Sequence, residues 1–187
     1  MRETEITVQV FNSLAEIDGI LTAKGFEKSG NYQMTDHYFS RIENASAVGY
    51  AELMKNSFLL RQTGGKVHLC YKNKEIDDEG NVISEEKTET VVDDLDKAIT
   101  VFRAAGLNRY CIVENESYIY QKGEVSFAIQ VIKGLGTFLE CEENEAMRDL
   151  TVPEKLARLT EIVRGLGLRL GEDYSCKKVY MLLKKNG

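Results

Sequence analysis

Two pairs of glutamates are the residues in this chain whose type and spacing most suggest chemistry. Glu3 and Glu5 lie two residues apart near the start of the sequence, and Glu140 and Glu142 flank Cys141 much later. Side chains two residues apart project from the same side of a β-strand. Carboxylate oxygens are the ligands that Mg²⁺ and Mn²⁺ prefer. If the two strands meet, the sequence predicts a divalent metal site.

Basic residues in the middle of the chain are candidates for contacting phosphate. His68, Cys70 and Lys72 alternate along one predicted strand, and Arg61 lies in the strand before it. Arginine binds phosphate oxygens as a planar fork, and lysine binds them as a point charge. The simpler alternative is that an antiparallel sheet has one solvated face, so these polar side chains would only meet water.

Three helices and a series of strands are predicted to position these residues. Ser13 to Glu16 and Thr151 to Glu154 have the form of capping boxes, and Asp93 or Asp94 can cap a third helix. Between the helices the apolar period changes to two, at residues 6–10, 67–71, 125–131 and 139–141, which predicts strands. Residues 77–81 have the composition of a hairpin turn that leads into a strand at 85–92.

A repeated pattern follows the three predicted helices. Each helix ends at a glycine, and a stretch that includes a tyrosine comes next, at residues 25–38, 106–118 and 167–180. We interpret this pattern as a weak internal repeat of a helix followed by an extended strand.

Composition narrows the class of protein. The 187 residues fit one domain, residues 1–187, and a formal net charge of −6 argues against a nucleic-acid partner. No apolar run exceeds five residues, which predicts no membrane span, and the start of the sequence has no signal core, which predicts a cytoplasmic protein. The four cysteines form no CxxC pair, so a zinc site is not expected.

Several short motifs carry a resemblance to a known family. The most specific is Gly134 to Glu142, which is close to G-L-G-x-F-x-E-x-E; Glu3 to Thr7 is similar to E-x-E-x-K, and Leu69 to Lys72 is similar to L-T-Y-K. Residues 33–39 resemble Q-x-D-x-Y-F with one extra residue, and residues 174–183 resemble an S-Y-x-x-L-L ending. In this order, the motifs resemble the CYTH family, the triphosphate tunnel metalloenzymes, which includes class IV adenylyl cyclases and thiamine and inorganic triphosphatases.

The resemblance implies a fold and a set of roles. The implied fold is α+β, a closed eight-stranded antiparallel β-barrel that forms a tunnel, with helices packed on the outside. Lysines and arginines of the lumen would bind a triphosphate, and the acids would hold Mg²⁺ or Mn²⁺. The implied metal ligands are Glu3, Glu5, Glu140 and Glu142. Glu5 and Glu142 would be catalytic, and Arg61 and Lys72 would bind substrate.

The chain also departs from the family pattern, mostly by losing cations. Neutral residues replace expected basic residues at Thr7, Leu59, Asn115 and Ser117, and Gln130 replaces an expected aspartate. Charge-assisted bonds to phosphate contribute roughly 1.5–3 kcal/mol each, so these losses predict weaker triphosphate binding. Candidates to supply charge from other strands are Arg41, Lys66, Lys87 and Arg109.

The sequence is compatible with three functions. The first is a metal-dependent phosphohydrolase acting on tripolyphosphate, thiamine triphosphate or a nucleoside triphosphate. The second is an adenylyl cyclase-like enzyme that makes cyclic AMP from ATP. The third is a degenerate tunnel that binds a ligand without turnover, in which excess acids would favour a cation over a polyphosphate. A homodimer is compatible with all three.

Overall fold

The computed structural model describes residues 2–77, 80 and 82–186, apart from the side chains of Arg2, Glu3 and Asn186. The chain divides into two compact units. Unit 1 comprises residues 33–115 and 178–186 with Arg2, and unit 2 comprises residues 3–32 and 116–177. Three strands contain residues of both units: β1 (Arg2–Glu3), β3 (Glu27–Ser40) and β7 (Asn108–Lys122).

Unit 1 is built on a sheet in which the described strands follow the order β6-β5-β4-β3-β7. Its other elements are α2 (Tyr50–Met54), β4 (Asn56–Thr63), β5 (Lys66–Ile76), β6 (Val82–Val92), α3 (Leu95–Ala104) and α5 (Lys178–Asn186). The pairings of β3 with β4, β4 with β5 and β5 with β6 are antiparallel. Phe39 and Leu60 pack against Ile99 and Phe102 of α3, so one face of this sheet is covered by a helix.

Unit 2 contains the order β7-β8-β9-β2. Its elements are β2 (Glu5–Val10), α1 (Leu14–Ala23), β8 (Val125–Ile132), β9 (Gly136–Glu142), a 3₁₀ helix (Glu145–Met147) and α4 (Val152–Gly165). Strand β9 pairs antiparallel with both β8 and β2. Apolar side chains on one face of these strands pack against α1 and α4 to form the core.

The second edge of β2 is covered by residues 169–176. The amide of Thr7 donates to the carbonyl of Tyr174 at 3.0 Å, and the amide of Cys176 donates to the carbonyl of Thr7 at 2.9 Å. The amide of Gly171 also donates to the carbonyl of Gln9 at 2.9 Å. Backbone groups on both edges of β2 are therefore engaged, which fixes the direction in which its side chains point.

The helix signals read from the sequence are confirmed. Ser13 with Glu16 and Thr151 with Glu154 form reciprocal capping boxes, and Asp94 caps α3 by accepting from the amide of Lys97 at 3.0 Å. Gly106 follows α3 with φ +77°, a left-handed conformation that side chains rarely adopt.

The prediction of a third copy of the helix–strand repeat, at residues 167–180, is wrong. Residues 168–177 form isolated bridges instead of a long strand, and Tyr180 lies in α5. Val179 and Leu182 are both buried, and their spacing of three residues matches a helical face. The five-residue apolar run at 179–183 is too short to distinguish a helix from a strand. The hairpin turn at 77–81 includes residues 78, 79 and 81, which lie outside the described residues.

The α+β class is confirmed, because antiparallel strands carry helices packed on one face of the sheet in each unit. The closure of eight strands into a tunnel stays a prediction, and so does the organisation of residues 1–187 as a single domain.

A buried ion pair joins β3 to β4 in unit 1. The guanidinium of Arg61 donates to the carboxylate of Asp36 from Nε at 2.8 Å and from Nη2 at 2.7 Å. The side chain of Asp36 is 4% exposed. Burial by itself would lower the pKa of Arg61, but the hydrogen bonds and the charge of Asp36 raise it above its ordinary value. The two residues are directly opposed across the strands, so the pair also fixes the register.

Removing buried methyl groups from the core of unit 2 tests the packing. Val163 of α4 is 0% exposed, whereas Val101 of α3 is 65% exposed. We expect Val163→Ala to lower the free energy of unfolding by about 2 kcal/mol. The matched Val101→Ala change should cost less than about 0.5 kcal/mol. Urea denaturation measures both, and equal losses would contradict the assigned core.

Removing one member of the buried ion pair tests its contribution. Asp36→Asn leaves the charge of Arg61 without its counter-ion, so we expect the free energy of unfolding to fall by about 3 kcal/mol. Asp93 is exposed and serves as the control, since Asp93→Asn should change stability by less than about 0.5 kcal/mol. Thermal and urea unfolding of both variants give the comparison. A loss at Asp36 no larger than the loss at Asp93 would refute the pairing.

Candidate functional site

Three glutamates of unit 2 come together at the β2–β9 pairing. Glu5 lies directly opposite Glu142, and Glu140 lies opposite Thr7. One carboxylate oxygen from each of Glu5, Glu140 and Glu142 lies within 4.8 Å of the other two. Glu5 and Glu142 are exposed, and Glu140 is half-buried. We call these three residues the acidic cluster.

The acidic cluster is positioned by the apolar residues that alternate with it. Ile6 and Val8 of β2 and Leu139 and Cys141 of β9 are buried in the core with α1 and α4. Successive residues of a strand face opposite sides, so burial of these four directs the glutamates to the other side. A shift of one residue in either strand would place carboxylates in the core and is excluded by its cost.

A neutral neighbour orients the least exposed carboxylate of the cluster. Gln130 of β8 is 2% exposed, and its Nε2 donates to Oε1 of Glu140 at 3.1 Å. The family pattern identified Gln130 only as a position where an aspartate is expected. In the structure this residue supplies a hydrogen-bond donor to the cluster where an aspartate would have added another negative charge.

The donor set of the cluster fits a hard divalent cation. Three carboxylates at this separation repel one another, and a bound cation would relieve the repulsion. All three donors are oxygens, which suits Mg²⁺ or Mn²⁺ better than a soft metal. Burial raises the pKa of the intervening Cys141 to about 12, so this thiol stays protonated and is not a competing thiolate ligand.

A cavity of about 260 Å³ adjoins the cluster within unit 2. Glu140 and Glu142 line it together with two further acids, Glu124 and Glu143, and apolar side chains such as Met147. Glu143 is held by Lys155, whose Nζ lies 2.9 Å from its Oε1. The cavity therefore borders two residues of the acidic cluster.

The fourth predicted metal ligand, Glu3, has a side chain outside the described residues. Its role as a ligand stays a prediction. The other three predicted ligands, Glu5, Glu140 and Glu142, are brought together as described above.

The predicted substrate-binding residues Arg61 and Lys72 lie in unit 1, on the sheet face opposite α3. On this face ion pairs link neighbouring strands, and we call it the paired-charge face. Its members are Asp36, Arg61, His68, Lys72, Lys74, Glu85, Lys87 and Glu89. Lys72 Nζ lies 2.6 Å from Oε1 of Glu85, and Arg61 is bound by Asp36. Both predicted substrate-binding residues are thus engaged by carboxylates.

Glu89 joins three side chains of the paired-charge face. Its carboxylate pairs with Lys87, accepts from the Cys70 thiol at 3.3 Å and lies 2.7 Å from Nδ1 of His68. The hydrogen bond from Lys87 is the main cause that lowers the pKa of Glu89 to about 2. Burial, followed by the hydrogen bond to Glu89, raises the pKa of Cys70 to about 11. Cys70 is therefore a neutral donor and not a nucleophile at neutral pH.

Sequence reasoning missed two members of this face, Lys74 and Glu85. Lys74 is one alternation beyond Lys72 on β5, and it lies directly opposite Glu85 of β6. Extending the period of two from Lys72 would have found Lys74. Finding Glu85 needed the register of the β5–β6 hairpin, which the turn sequence alone does not fix. Lys87, a candidate for compensating charge, does lie on this face, opposite Lys72.

Neutral residues at the positions where the family pattern expects cations are buried. Leu59 and Ser117 are 0% exposed, Thr7 is 5% exposed and Asn115 is 6% exposed. A lysine or arginine introduced at these positions would need a buried counter-ion to be tolerated. The structure thus places these four neutral side chains almost entirely out of contact with solvent.

None of the helices within residues 2–77, 80 and 82–186 is long and apolar enough to cross a membrane.

Comparisons with known proteins agree with the motifs. The family model described as the CYTH domain matches residues 1–169. A protein of Methanocaldococcus jannaschii named "Putative adenylate cyclase MJ0240" is 25% identical over 185 residues, covering 98% of this chain and 99% of the relative.

Two solved structures share the fold. The PH1012 protein of Pyrococcus horikoshii has a TM-score of 0.72 at 21% identity, with 97% of this chain and 98% of that chain covered. A protein of Vibrio parahaemolyticus titled "putative adenylate cyclase" has a TM-score of 0.66 at 17% identity, with 96% and 97% covered. The family model covers most of the sequence and includes every quoted motif except the ending at residues 174–183, so the chain belongs to the CYTH domain family.

Proposed function

We propose that this protein is a metal-dependent phosphohydrolase that acts on a triphosphate. The observation that carries the proposal is the acidic cluster, in which three carboxylate oxygens lie within 4.8 Å of one another on one side of the β2–β9 pairing. Membership of the CYTH domain family supports the substrate class. Inorganic tripolyphosphate, thiamine triphosphate and nucleoside triphosphates are the candidates.

The cluster would serve both as ligand set and as base. Glu5, Glu140 and Glu142 would hold Mg²⁺ or Mn²⁺, with Glu3 as a further ligand. When bound, the ion supplies Lewis-acid stabilisation of phosphoryl oxygens. Gln130 restrains Glu140 through its hydrogen bond, so the more exposed Glu5 and Glu142 are the better candidates to accept a proton from water. The water oxygen would bond to the terminal phosphorus as the bond from that phosphorus to the bridging oxygen breaks, releasing orthophosphate.

Arg61 and Lys72 would contact phosphate oxygens in this proposal. Asp36 accepts from Nε and Nη2 of Arg61, and Nη1 is not part of that pair. Arg61 can therefore donate to a phosphate without releasing Asp36. Lys72 is held by Glu85 at 2.6 Å and would have to share its ammonium between that carboxylate and the substrate. Phosphate binding is expected to be weaker than on a face of unpaired cations.

Adenylyl cyclisation is the second candidate, favoured by the printed names of the relatives from M. jannaschii and V. parahaemolyticus. In that reaction the 3′-hydroxyl oxygen of ATP bonds to the α-phosphorus, pyrophosphate leaves, and a carboxylate accepts the hydroxyl proton. The same acidic cluster could serve. The two reactions differ in their products, cyclic AMP and pyrophosphate against orthophosphate.

Product analysis tests the two reactions. We expect the purified chain with Mn²⁺ to release orthophosphate from tripolyphosphate, thiamine triphosphate or ATP, and Glu5→Ala to lower the rate by at least about 100-fold because a ligand and candidate base is lost. The exposed Glu145 gives the control variant Glu145→Ala, which should retain the rate. Colorimetric phosphate assay and mass spectrometry give the products. Formation of cyclic AMP would favour the second candidate. The absence of product from every substrate would contradict both reactions and favour a protein that binds a ligand without turnover.

Metal binding can be tested apart from turnover. We expect Glu142→Gln to weaken Mn²⁺ binding by at least about tenfold, because one of three carboxylate ligands is lost. Glu145→Gln removes the same charge from an exposed position and should leave the affinity unchanged. Electron paramagnetic resonance of free Mn²⁺ during a titration measures both. Equal Mn²⁺ affinities for the two variants would indicate that Mn²⁺ does not bind at Glu142.

A further inference from the structure

Carboxylates of β6 hold the lysines of the paired-charge face. Glu85 contacts two of them, since its Oε1 lies 2.6 Å from Nζ of Lys72 and its Oε2 lies 3.4 Å from Nζ of Lys74. All three side chains are largely buried, with 13–16% of their surfaces exposed. Glu89 holds Lys87 in the same way. The lysines are thus already engaged by acids of the protein itself.

The charge of Glu85 persists at neutral pH. Burial by itself would raise the pKa of its carboxyl, but the charges and hydrogen bonds of Lys72 and Lys74 outweigh burial and lower the pKa. The carboxylate is therefore ionised wherever the protein is folded at neutral pH. The Glu85 carboxylate contacts both Lys72 and Lys74, so it repels any anion that binds to either lysine.

The paired-charge face is close to electrically balanced. Arg61, Lys72, Lys74 and Lys87 are cationic, and Asp36, Glu85 and Glu89 are anionic. These four cations and three anions, His68 aside, leave one net positive charge. Such a surface suits an anion of low charge better than a free triphosphate, whose several charges would each be repelled by the three carboxylates.

We propose that Glu85 is a specificity-determining residue, an internal competitor for Lys72 and Lys74 that disfavours free polyanions at the paired-charge face. Because the repulsion grows with the charge of the ligand, Glu85 discriminates by charge and not by shape. A polyphosphate whose charge is reduced by a divalent cation, or a singly phosphorylated ligand, is admitted at lower cost. This inference rests on the proposed function, because it assumes that phosphate oxygens contact Lys72.

Isothermal titration calorimetry of tripolyphosphate and orthophosphate, in EDTA so that no turnover occurs, tests the role of Glu85. We expect Glu85→Gln to bind tripolyphosphate at least about tenfold more tightly than the unaltered chain and to gain less for orthophosphate. The control is Glu86→Gln, which removes the same charge from the next residue of β6. Glu86 is exposed and alternates to the other face, so its removal should not change either affinity.

The outcomes separate this inference from the proposed function. Unchanged or weaker tripolyphosphate binding by Glu85→Gln, an equal gain in Glu86→Gln, or no binding by any of the three proteins overturns the role of Glu85. Phosphate release with Mn²⁺ is measured separately from binding. A protein without hydrolase activity can therefore still show tighter tripolyphosphate binding in Glu85→Gln, and an active protein can lack that change.

A second measurement serves if Glu85→Gln does not fold. On the unaltered chain, the ¹³C resonance of the Glu85 carboxyl should shift as tripolyphosphate is added, while the resonance of Glu86 stays in place. Saturation by tripolyphosphate with no shift at Glu85 would equally overturn the proposal.

Discussion

The alternation of apolar and acidic residues on β2 and β9 is the constraint on which the candidate site depends. Ile6, Val8, Leu139 and Cys141 are at most 3% exposed, and they hold these strands against α1 and α4. Because the register between the strands is thereby fixed, Glu5 and Glu142 are forced to face each other although like charges repel. The free energy of core packing thus offsets the repulsion of the carboxylates. A divalent cation would convert the same geometry from a cost into a binding site.

Charged side chains are arranged differently in the two units. In unit 2 three carboxylates are gathered together, with Gln130 as a neutral donor beside Glu140. In unit 1 each acid of the paired-charge face neutralises a neighbouring base, and the Asp36–Arg61 pair is buried deeply enough to fix strand register. Neutralised bases bind an external anion less strongly than unpaired ones do. Under the proposed function, this difference predicts that metal binding by the acidic cluster is retained while phosphate affinity is reduced.

Elements set by local chemistry could be predicted from the sequence, and pairings between distant strands could not. The capping residues Ser13, Asp94 and Thr151 act within four residues of themselves, so their helices were identified. The meeting of Glu5 with Glu142 followed from a family resemblance and was not deducible from spacing alone. The partners of Lys72 depend on the β5–β6 register, and the extended stretch predicted up to Tyr180 includes only the first three residues of α5, whose apolar run is too short to indicate a helix. Whether the strands close into a tunnel depends on interactions that no local pattern encodes.

Anomalous diffraction from crystals soaked in Mn²⁺ is the most direct test of whether the acidic cluster holds a divalent metal ion. We expect an anomalous peak coordinated by carboxylate oxygens of Glu5, Glu140 and Glu142. A well-diffracting soaked crystal with no peak at these residues, or with its main peak at another group of side chains, would contradict it.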